Sequence, residues 1–232
     1  MDFFKLIESR RSCRKFLNDP VPEEVINKAL DAAFLAPNTS NIQPWEFYWV
    51  KDKEKRCSLV SACFEQNAAK TSSELIVAVS RVDTWKRNKE LLMSEMESQG
   101  KIPPRVSMYY NKIVPISYTL GPLSILGLLK KLVSTAIGLF KPIPRKPAFK
   151  SELFEVVTKS TAMACENFIL AIHALGFDTC PMEGFDEYRV KKILNLNSQS
   201  HIVMVIAVGK RDPSGIFGKR IRLDRNLFVH EI

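Results

Sequence analysis

The chain has 232 residues, of which 46% are apolar, so it is long enough for one domain with a substantial core. It carries 34 Lys or Arg against 25 Asp or Glu, but the excess is local. Residues 101–150 hold nine basic side chains and no acidic one, so the other 25 basic residues balance the 25 acidic ones. This distribution argues against a generally basic protein and for a neutral one with a cationic insert.

The cysteine and histidine content argues against a disulfide framework and a metal site. Five cysteines are an odd number, no Cys-x-x-Cys pair is present, and there are only three histidines. We therefore expect no metal and predict that the thiols pack as small apolar residues. No signal peptide precedes the first predicted helix, which favours a reducing, cytoplasmic location.

The predicted elements alternate only loosely between helix and strand. In chain order they are helices at about 3–10 and 23–36, a strand at 46–50, a helix at 52–63, a strand at 75–82, a helix at 84–98, a long helix at 152–175 capped by Ser151, a strand around 179, a helix at 186–194 and a strand at 201–208. The long helix has a predicted core stripe of Val156, Met163, Phe168, Ile169, Ile172 and Leu175. This order predicts an α+β protein, not a doubly wound parallel sheet.

Two arginine-rich motifs are candidates for binding an anion with several oxygens. Arg10, Arg11 and Arg14 surround Ser12 just after the first helix, and Arg220 and Arg222 lie near the end of the chain. The chain has no Gly-x-Gly-x-x-Gly turn and no Gly-Lys-Ser/Thr loop, so side chains must hold any phosphate. Arginine suits this because its planar fork donates two parallel hydrogen bonds. The alternative for both motifs is a solvated basic surface.

A small polar loop follows the second helix. Its sequence is Ala36-Pro37-Asn38-Thr39-Ser40-Asn41-Ile42-Gln43-Pro44-Trp45. Short polar side chains beside a proline-bounded turn and a tryptophan suit a flat ring that forms hydrogen bonds. With the arginine motif, this loop suggests a nucleotide-like cofactor.

These motifs, in this order, resemble the FMN-dependent nitroreductase family over residues 1–100 and 150–232. Asn67-Ala68-Ala69-Lys70 is similar to the family's Asn-x-x-Lys, which meets the pyrimidine edge of the flavin. Pro181-Met182-Glu183-Gly184-Phe185 is similar to the turn that places a backbone N–H near flavin N5. The resemblance implies a nitroreductase-like fold, with a central mixed, mainly antiparallel sheet flanked by helices. It also implies an intertwined homodimer with a C-terminal arm exchanged between subunits.

The resemblance also implies a site shared by two subunits and chemistry carried by the cofactor. The FMN-binding residues from one chain are Arg10, Arg11, Ser12, Arg14, Asn67, Lys70, Pro181, Met182, Glu183, Gly184, Arg220 and Arg222. Those from the other chain are Pro37, Asn38, Thr39 and Asn41. No side chain is assigned a catalytic role; the backbone of Glu183 and Gly184 lies near N5.

The implied reaction is hydride transfer from NADH or NADPH through flavin N5 to a small electron-poor acceptor, such as a nitroaromatic or a quinone. Three other chemistries remain open on the same scaffold: flavin reduction, ene reduction and dehalogenation. A non-enzymatic protein, binding membranes or nucleic acid through its basic residues, is the alternative of another class.

We expect one domain over 1–232, from which the insert at about 101–150 projects. Residues 113–129 are an uncharged run of 17 residues, slightly short for a membrane span and interrupted by Gly and Pro. The insert is either a lid over the active site or a peripheral membrane contact through residues 113–140, where lysines flank apolar residues. Its basic residues alternate with aliphatic ones, which argues against nucleic acid as a partner.

Overall fold

The structure, a computed structural model, describes residues 2–232. Four strands form one sheet: β1 (Trp45–Trp49), β2 (Glu74–Arg81), β3 (Asp178–Met182) and β4 (Ser200–Gly209). Ten α-helices are present among the described residues: α1 (Phe3–Ser9), α2 (Glu23–Phe34), α3 (Lys53–Ala62), α4 (Asn67–Thr71), α5 (Trp85–Gln99), α6 (Pro104–Met108), α7 (Val114–Tyr118), α8 (Ile125–Ile137), α9 (Lys150–Ala174) and α10 (Glu187–Ile193). A π-helical turn, Tyr109–Ile113, joins α6 to α7.

The sheet has the strand order β1-β2-β4-β3, and each neighbouring pair is antiparallel. Alternate residues of β2 point to opposite faces, as the strand period of two requires. Leu75, Val77 and Val79 pack on one face, and Ile76 and Ala78 on the other. Because helices cover both faces, β2 is apolar at nearly every position. The α+β architecture is therefore confirmed.

Two helical layers enclose the sheet. On one face α2 packs against α9, where Ile26 and Phe168 are fully buried. On the other face α3 and α10 pack together, with Leu59 and Val190 in the core. This arrangement lets the end of α1, the start of β3 and the segment after β4 meet at one side of the sheet.

The predicted elements are confirmed to within two residues, but two details of the long helix were wrong. Its N-cap is Phe149, not Ser151, and the Glu152 carboxylate accepts a hydrogen bond from the Ala148 N–H at 2.7 Å. The predicted core stripe was wrong at Met163 and at Leu175, the residue that follows the helix, because both are exposed. Met163 precedes the buried Ala164 by one residue, a turn of about 100° around the helix.

The insert packs on the rest of the protein through its first half. Tyr110, Val114 and Tyr118 are buried in a third apolar cluster, and the Tyr118 ring stacks on Trp85 with centroids 5.7 Å apart. Burial raises the pKa of Tyr118 to about 12. The α-helical path is then interrupted at residues 119–124, and α8 begins at Ile125.

Candidate functional site

The N-terminal arginine motif lies between β3 and the segment that follows β4. The Cys13 N–H donates to the Thr179 carbonyl of β3 at 2.9 Å, and the Arg14 N–H donates to the Gly215 carbonyl at 2.7 Å. Ser12 forms an isolated bridge with the same Thr179. These contacts bring the two ends of the chain together at the edge of the sheet.

Backbone carbonyls orient the arginines of both motifs. The Arg11 guanidinium donates to the Gly218 carbonyl at 3.1 Å. Arg220 donates to the Ile7 carbonyl at 3.4 Å and to the Arg10 carbonyl. The structure thus brings Arg220 against the end of α1, where it is half-buried.

The cluster has no carboxylate to neutralise it. Among residues 2–232, none of its arginines forms an ion pair with an acid; they are Arg10, Arg11, Arg14, Arg220 and Arg222. Desolvation, followed by the charges of Arg222, Arg10 and Arg11, lowers the pKa of Arg220. A cleft of about 720 Å³ borders Arg11 and Arg220, and Glu8 lines it without making an ion pair there. Mutually repelling guanidinium groups beside an open cleft fit an anion such as a phosphate.

Helix α4 lies next to this segment. The Phe16 N–H donates to the Thr71 hydroxyl at 3.0 Å, which connects the last turn of α4 to the arginine motif. Asn67 begins α4 and is exposed. Lys70, also exposed, pairs with Glu65 at 3.0 Å. The predicted amide and ammonium groups therefore both reach solvent on the helix that contacts the motif.

The turn after β3 is held by a residue that the sequence analysis did not single out. Gln66 Nε2 donates to the Gly184 carbonyl at 2.6 Å. Glu183 and Gly184 are exposed, whereas the Met182 side chain is buried in the core, so only the Met182 backbone can face a ligand. The available signal for Gln66 was its position directly before the Asn67 motif.

The thiol nearest this turn belongs to Cys180. It is buried, and burial raises its pKa while the charge of Arg14 partly opposes that rise. This interaction also places Arg14 beside the strand that leads to Pro181. The prediction of packed cysteines is confirmed for Cys180 and three others but was wrong for Cys57, which is exposed on α3.

The small polar loop lies elsewhere on the molecule. Asn38 Oδ1 accepts a hydrogen bond from the Gln43 N–H at 2.8 Å, and the Thr39 N–H donates to Ser160 Oγ of α9 at 3.4 Å. Asn41 adopts a positive φ of 50°. Pro37 and Asn41 are exposed beside them.

The predicted site residues form two groups, those assigned to one chain and the loop assigned to the other, and the two groups contact α9 at different positions. The loop is bonded to Ser160, whereas the end of α1 is bonded to His173 through Ser9, at 2.9 Å. Thirteen residues of helix span about 20 Å. One chain therefore brings together the residues of the first group and leaves the loop 37–41 apart from them.

Two tyrosines of the insert also contact the loop. The Tyr110 hydroxyl donates to the Ser40 carbonyl at 2.9 Å, and the Tyr109 and Ser40 hydroxyl oxygens lie 2.6 Å apart. The sequence offered no local signal for these contacts, because they join residues about 70 positions apart. They show that the insert contacts the loop at Ser40.

Comparison with known proteins identifies the family. The model described as "Nitroreductase family" matches residues 7–107 and 145–210. A relative assigned as an NAD(P)H nitroreductase, MhqN of Bacillus subtilis, is 25% identical over 234 residues, covering 98% of each chain. Protein DrgA of Synechocystis sp. is 28% identical over 212 residues, covering 91% of this chain and 85% of its own.

The fold agrees with this assignment. A protein assigned as a nitroreductase from Exiguobacterium sibiricum, solved in complex with FMN, superimposes with a TM-score of 0.74 at 21% identity, covering 100% of this chain and 98% of its own. The chain belongs to the nitroreductase family.

Proposed function

We propose that this protein is a homodimeric FMN-dependent oxidoreductase that accepts hydride from NADH or NADPH and passes it to a small electron-poor acceptor, a nitroaromatic or a quinone. The observation that carries the proposal is the unneutralised arginine cluster formed by both ends of the chain. The FMN complex of the Exiguobacterium protein and the name of the MhqN relative support it.

Arginine side chains and backbone groups hold the phosphate end of the cofactor. Arg10, Arg11, Arg220 and Arg222 supply the positive charge, and the carbonyl contacts of Arg11 and Arg220 orient two of the four guanidinium groups. A phosphate there offsets the repulsion among the guanidinium groups, which after desolvation is the second cause of the lowered pKa of Arg220. The predicted consequence is that FMN binds much more tightly than riboflavin, which lacks the phosphate.

Ser12, Arg14, Asn67 and Lys70 bind the polar edge of the ring system. Lys70 must exchange its partner Glu65 for the flavin, and this costs little because both side chains are about half exposed. The backbone of Glu183 and Gly184 donates toward N5, and Gln66 holds that turn in place. When bound, FMN supplies the two-electron hydride chemistry, so the protein needs no nucleophile of its own.

The loop 37–41 completes the site of the partner subunit. Its separation of about 20 Å along α9 from the end of α1 supports a site assembled from two chains. Large apolar side chains are exposed near α2, α9 and the C-terminus, as expected of surfaces that a second copy covers; they are Phe34, Leu35, Met163, Leu227 and Phe228. We infer that the segment after Leu223 is the arm that crosses to the partner.

We also expect a reducing, cytoplasmic compartment for the reaction, and the five free cysteines are compatible with it. The choice among nitroreduction, quinone reduction, ene reduction, flavin reduction and dehalogenation is made by assaying each acceptor with the FMN-loaded protein. We predict the highest kcat/KM for nitroaromatics and quinones. A higher value for an enoate or a halogenated substrate would contradict that part of the proposal.

The cofactor is tested by an absorbance spectrum and by titration with FMN and riboflavin. Wild-type protein should be yellow, bleach with NADH or NADPH, and prefer FMN. Arg220→Ala should lose most of that preference, whereas Lys219→Ala, the adjacent exposed cation, should retain it. A protein that stays colourless with FMN would overturn the assignment of FMN as the cofactor. The non-enzymatic alternative, a protein that binds membranes or nucleic acid, would then be left.

Subunit sharing is tested by mixing two inactive variants. Arg220→Ala impairs the group of residues assigned to one chain, and Asn38→Ala impairs the loop assigned to the other chain. If each site uses both chains, a mixed dimer holds one intact site and regains activity. No recovery after verified subunit exchange would show that both groups act within one chain.

A further inference from the structure

Helix α8 of the insert is oriented with its large apolar side chains outward. Over its 13 residues the buried positions are Gly127 and Ser134, seven apart and so on one face of the helix. A Cβ at Gly127 would lie 1.9 Å from the Ala148 carbonyl oxygen, so α8 approaches its neighbour through its small residues. This is the reverse of the usual amphipathic arrangement, in which the aliphatic face packs on the core.

The outward side of α8 and the residues that flank the helix carry large exposed apolar side chains, which we call the insert face. It is defined by Leu123, Ile125, Leu128, Leu132, Leu139 and Phe140. Leu123 is 95% exposed and Phe140 90% exposed, among the highest values for any large side chain of the described residues. The insert face continues into a groove of about 480 Å³ between α7 and α8, walled by Ile116 and Val133. A cluster of large apolar side chains that are this exposed marks a contact site.

The segment that carries the insert face is cationic. Its nine basic residues have no Asp or Glu among them within 101–150, and of the nine Lys146 pairs with Glu152 and Glu155 of α9. On α8, Lys130 and Lys131 lie at either side of the buried strip. Lys130 donates to the Ile116 and Thr119 carbonyls, and the Lys131 ammonium lies 4.9 Å from the Phe149 ring centroid. Lysines at the border of an apolar face are typical of helices that lie at a membrane surface.

We propose that the insert face docks this protein on an anionic lipid surface. The aliphatic side chains enter the boundary between headgroups and acyl chains, and the surrounding Lys and Arg meet the lipid phosphates. Charge complementarity favours this partner over a second copy of the chain. Two insert faces placed against each other would bring their lysines and arginines together, so like-charge repulsion argues against a symmetric contact between two inserts.

The geometry favours lying on the membrane over crossing it. Among residues 2–232, no single helix is both long and apolar enough to span a bilayer; one pair, Pro104–Tyr118 with Pro122–Ile137, meets the length and composition criteria together but is bent by 86°. The first helix of the pair has Val114 and Tyr118 in the protein core. It therefore holds the insert to the protein while α8 presents its outer face.

Vesicle flotation of the FMN-loaded, full-length protein tests the proposal. Wild type should float with vesicles of phosphatidylglycerol and phosphatidylcholine, and much less with phosphatidylcholine alone. The triple variant Leu123→Ser, Leu132→Ser, Phe140→Ser should lower the partition coefficient at least about tenfold, since each change removes apolar area that enters the lipid. The changed side chains are exposed, so thermal unfolding should stay near that of wild type.

Two further variants distinguish binding through the insert face from nonspecific adsorption to vesicles. Leu91→Ser on α5 changes a leucine that is 63% exposed, close to the 62% of Leu132, and should leave flotation unchanged. Lys141→Glu with Arg145→Glu should weaken binding to anionic vesicles selectively. Absence of wild-type flotation, or equal flotation of wild type and the triple variant, would overturn the proposal. A triple variant that floats normally but has an altered KM for the acceptor would show that the insert is a lid.

Discussion

His173 Nε2 lies 2.9 Å from the hydroxyl oxygen of Ser9, and this contact joins the long helix α9 to the last residue of α1. His173 Nδ1 lies 3.4 Å from Asp178 at the start of β3, and Asp178 also binds Arg211 at 3.1 Å. The residue types match those of a hydrolytic triad, but the Ser9 hydroxyl donates to the Leu6 carbonyl. The Ser9 hydroxyl is thereby directed to its own helix, and the contact with His173 positions the end of α1 against α9.

Removal of this contact should weaken cofactor binding from a distance. Arg10 follows Ser9 directly, so a loose end of α1 displaces the carbonyl that Arg220 binds. His173→Ala should lower the free energy of unfolding by about 2 kcal/mol, since the buried Asp178 carboxylate loses the imidazole beside it. The apparent Kd for FMN should rise. Urea unfolding and fluorescence titration measure the two effects.

His230→Ala, at an exposed position near the C-terminus, is the matched control and should change neither quantity. Loss of stability with unchanged FMN affinity would show that the arginine cluster does not depend on the end of α1.

Gln66 should influence the reaction without being needed for cofactor binding. Its hydrogen bond to the Gly184 carbonyl holds the turn proposed to face N5. Gln66→Ala should slow flavin reduction by NADH by roughly threefold to tenfold, because the turn loses its defined position. Stopped-flow absorbance measures this rate, and FMN titration should show little change. Gln99→Ala, which removes an exposed amide bonded to Glu95, is the control. Equal rates for both variants would exclude the positioning role.

Asp212 should contribute stability that depends on pH. Hydrogen bonds from Ser214, followed by those from Lys15, lower the pKa of Asp212 to about 2. Because the folded pKa lies below the unfolded value of about 3.9, the stabilisation is fully present above pH about 4 and is lost as pH falls through about 2. Asp212→Asn should therefore be less stable than wild type at pH 6, and the difference should shrink toward pH 2.

Chemical denaturation across that pH range measures the difference, and Asp31→Asn on the exposed surface of α2 is the control. A difference for Asp212→Asn that is independent of pH would contradict the assignment. Asp212 also lies close to the candidate site, because the carbonyl of Gly215, three residues later, accepts a hydrogen bond from the Arg14 N–H.

Thiol reactivity should distinguish one cysteine from the other four. Cys57 is exposed, whereas burial raises the pKa of Cys63 to about 11 and that of Cys165 to about 12. Iodoacetamide should modify one thiol in the native protein, and Cys57→Ser should abolish the labelling. Mass spectrometry of tryptic peptides identifies the position. Labelling of Cys180 in the native state would show that the turn after β3 opens.

The local structure of this protein could be predicted from its sequence. Apolar periodicity placed every strand of the sheet and the main helices to within two residues, because those patterns act over a few neighbouring positions. The arginine motifs and the Asn67 and Pro181 segments were recognised as a family pattern for the same reason. Each is a short run whose residue types are visible without the fold.

Packing partners could not be predicted in this way. The stripe of α9 was wrong at Met163 because a shift of one residue moves a side chain by about 100° on a helix. Gln66 and Tyr110 reach the site through contacts with Gly184 and Ser40, which are far away in the chain. The residue types next to Gln66 and Tyr110 in the sequence give no indication of these contacts.

The sequence by itself determined the identity of the elements, the family and the concentration of positive charge in residues 101–150. Only the tertiary structure decided that Arg220 bonds the Arg10 carbonyl, that Gln66 holds the turn at Gly184, and that α8 packs through Gly127 with its leucines outward. The physical reason is that short-range periodicity specifies which face of an element is apolar. What that face meets depends on surfaces contributed by distant parts of the chain.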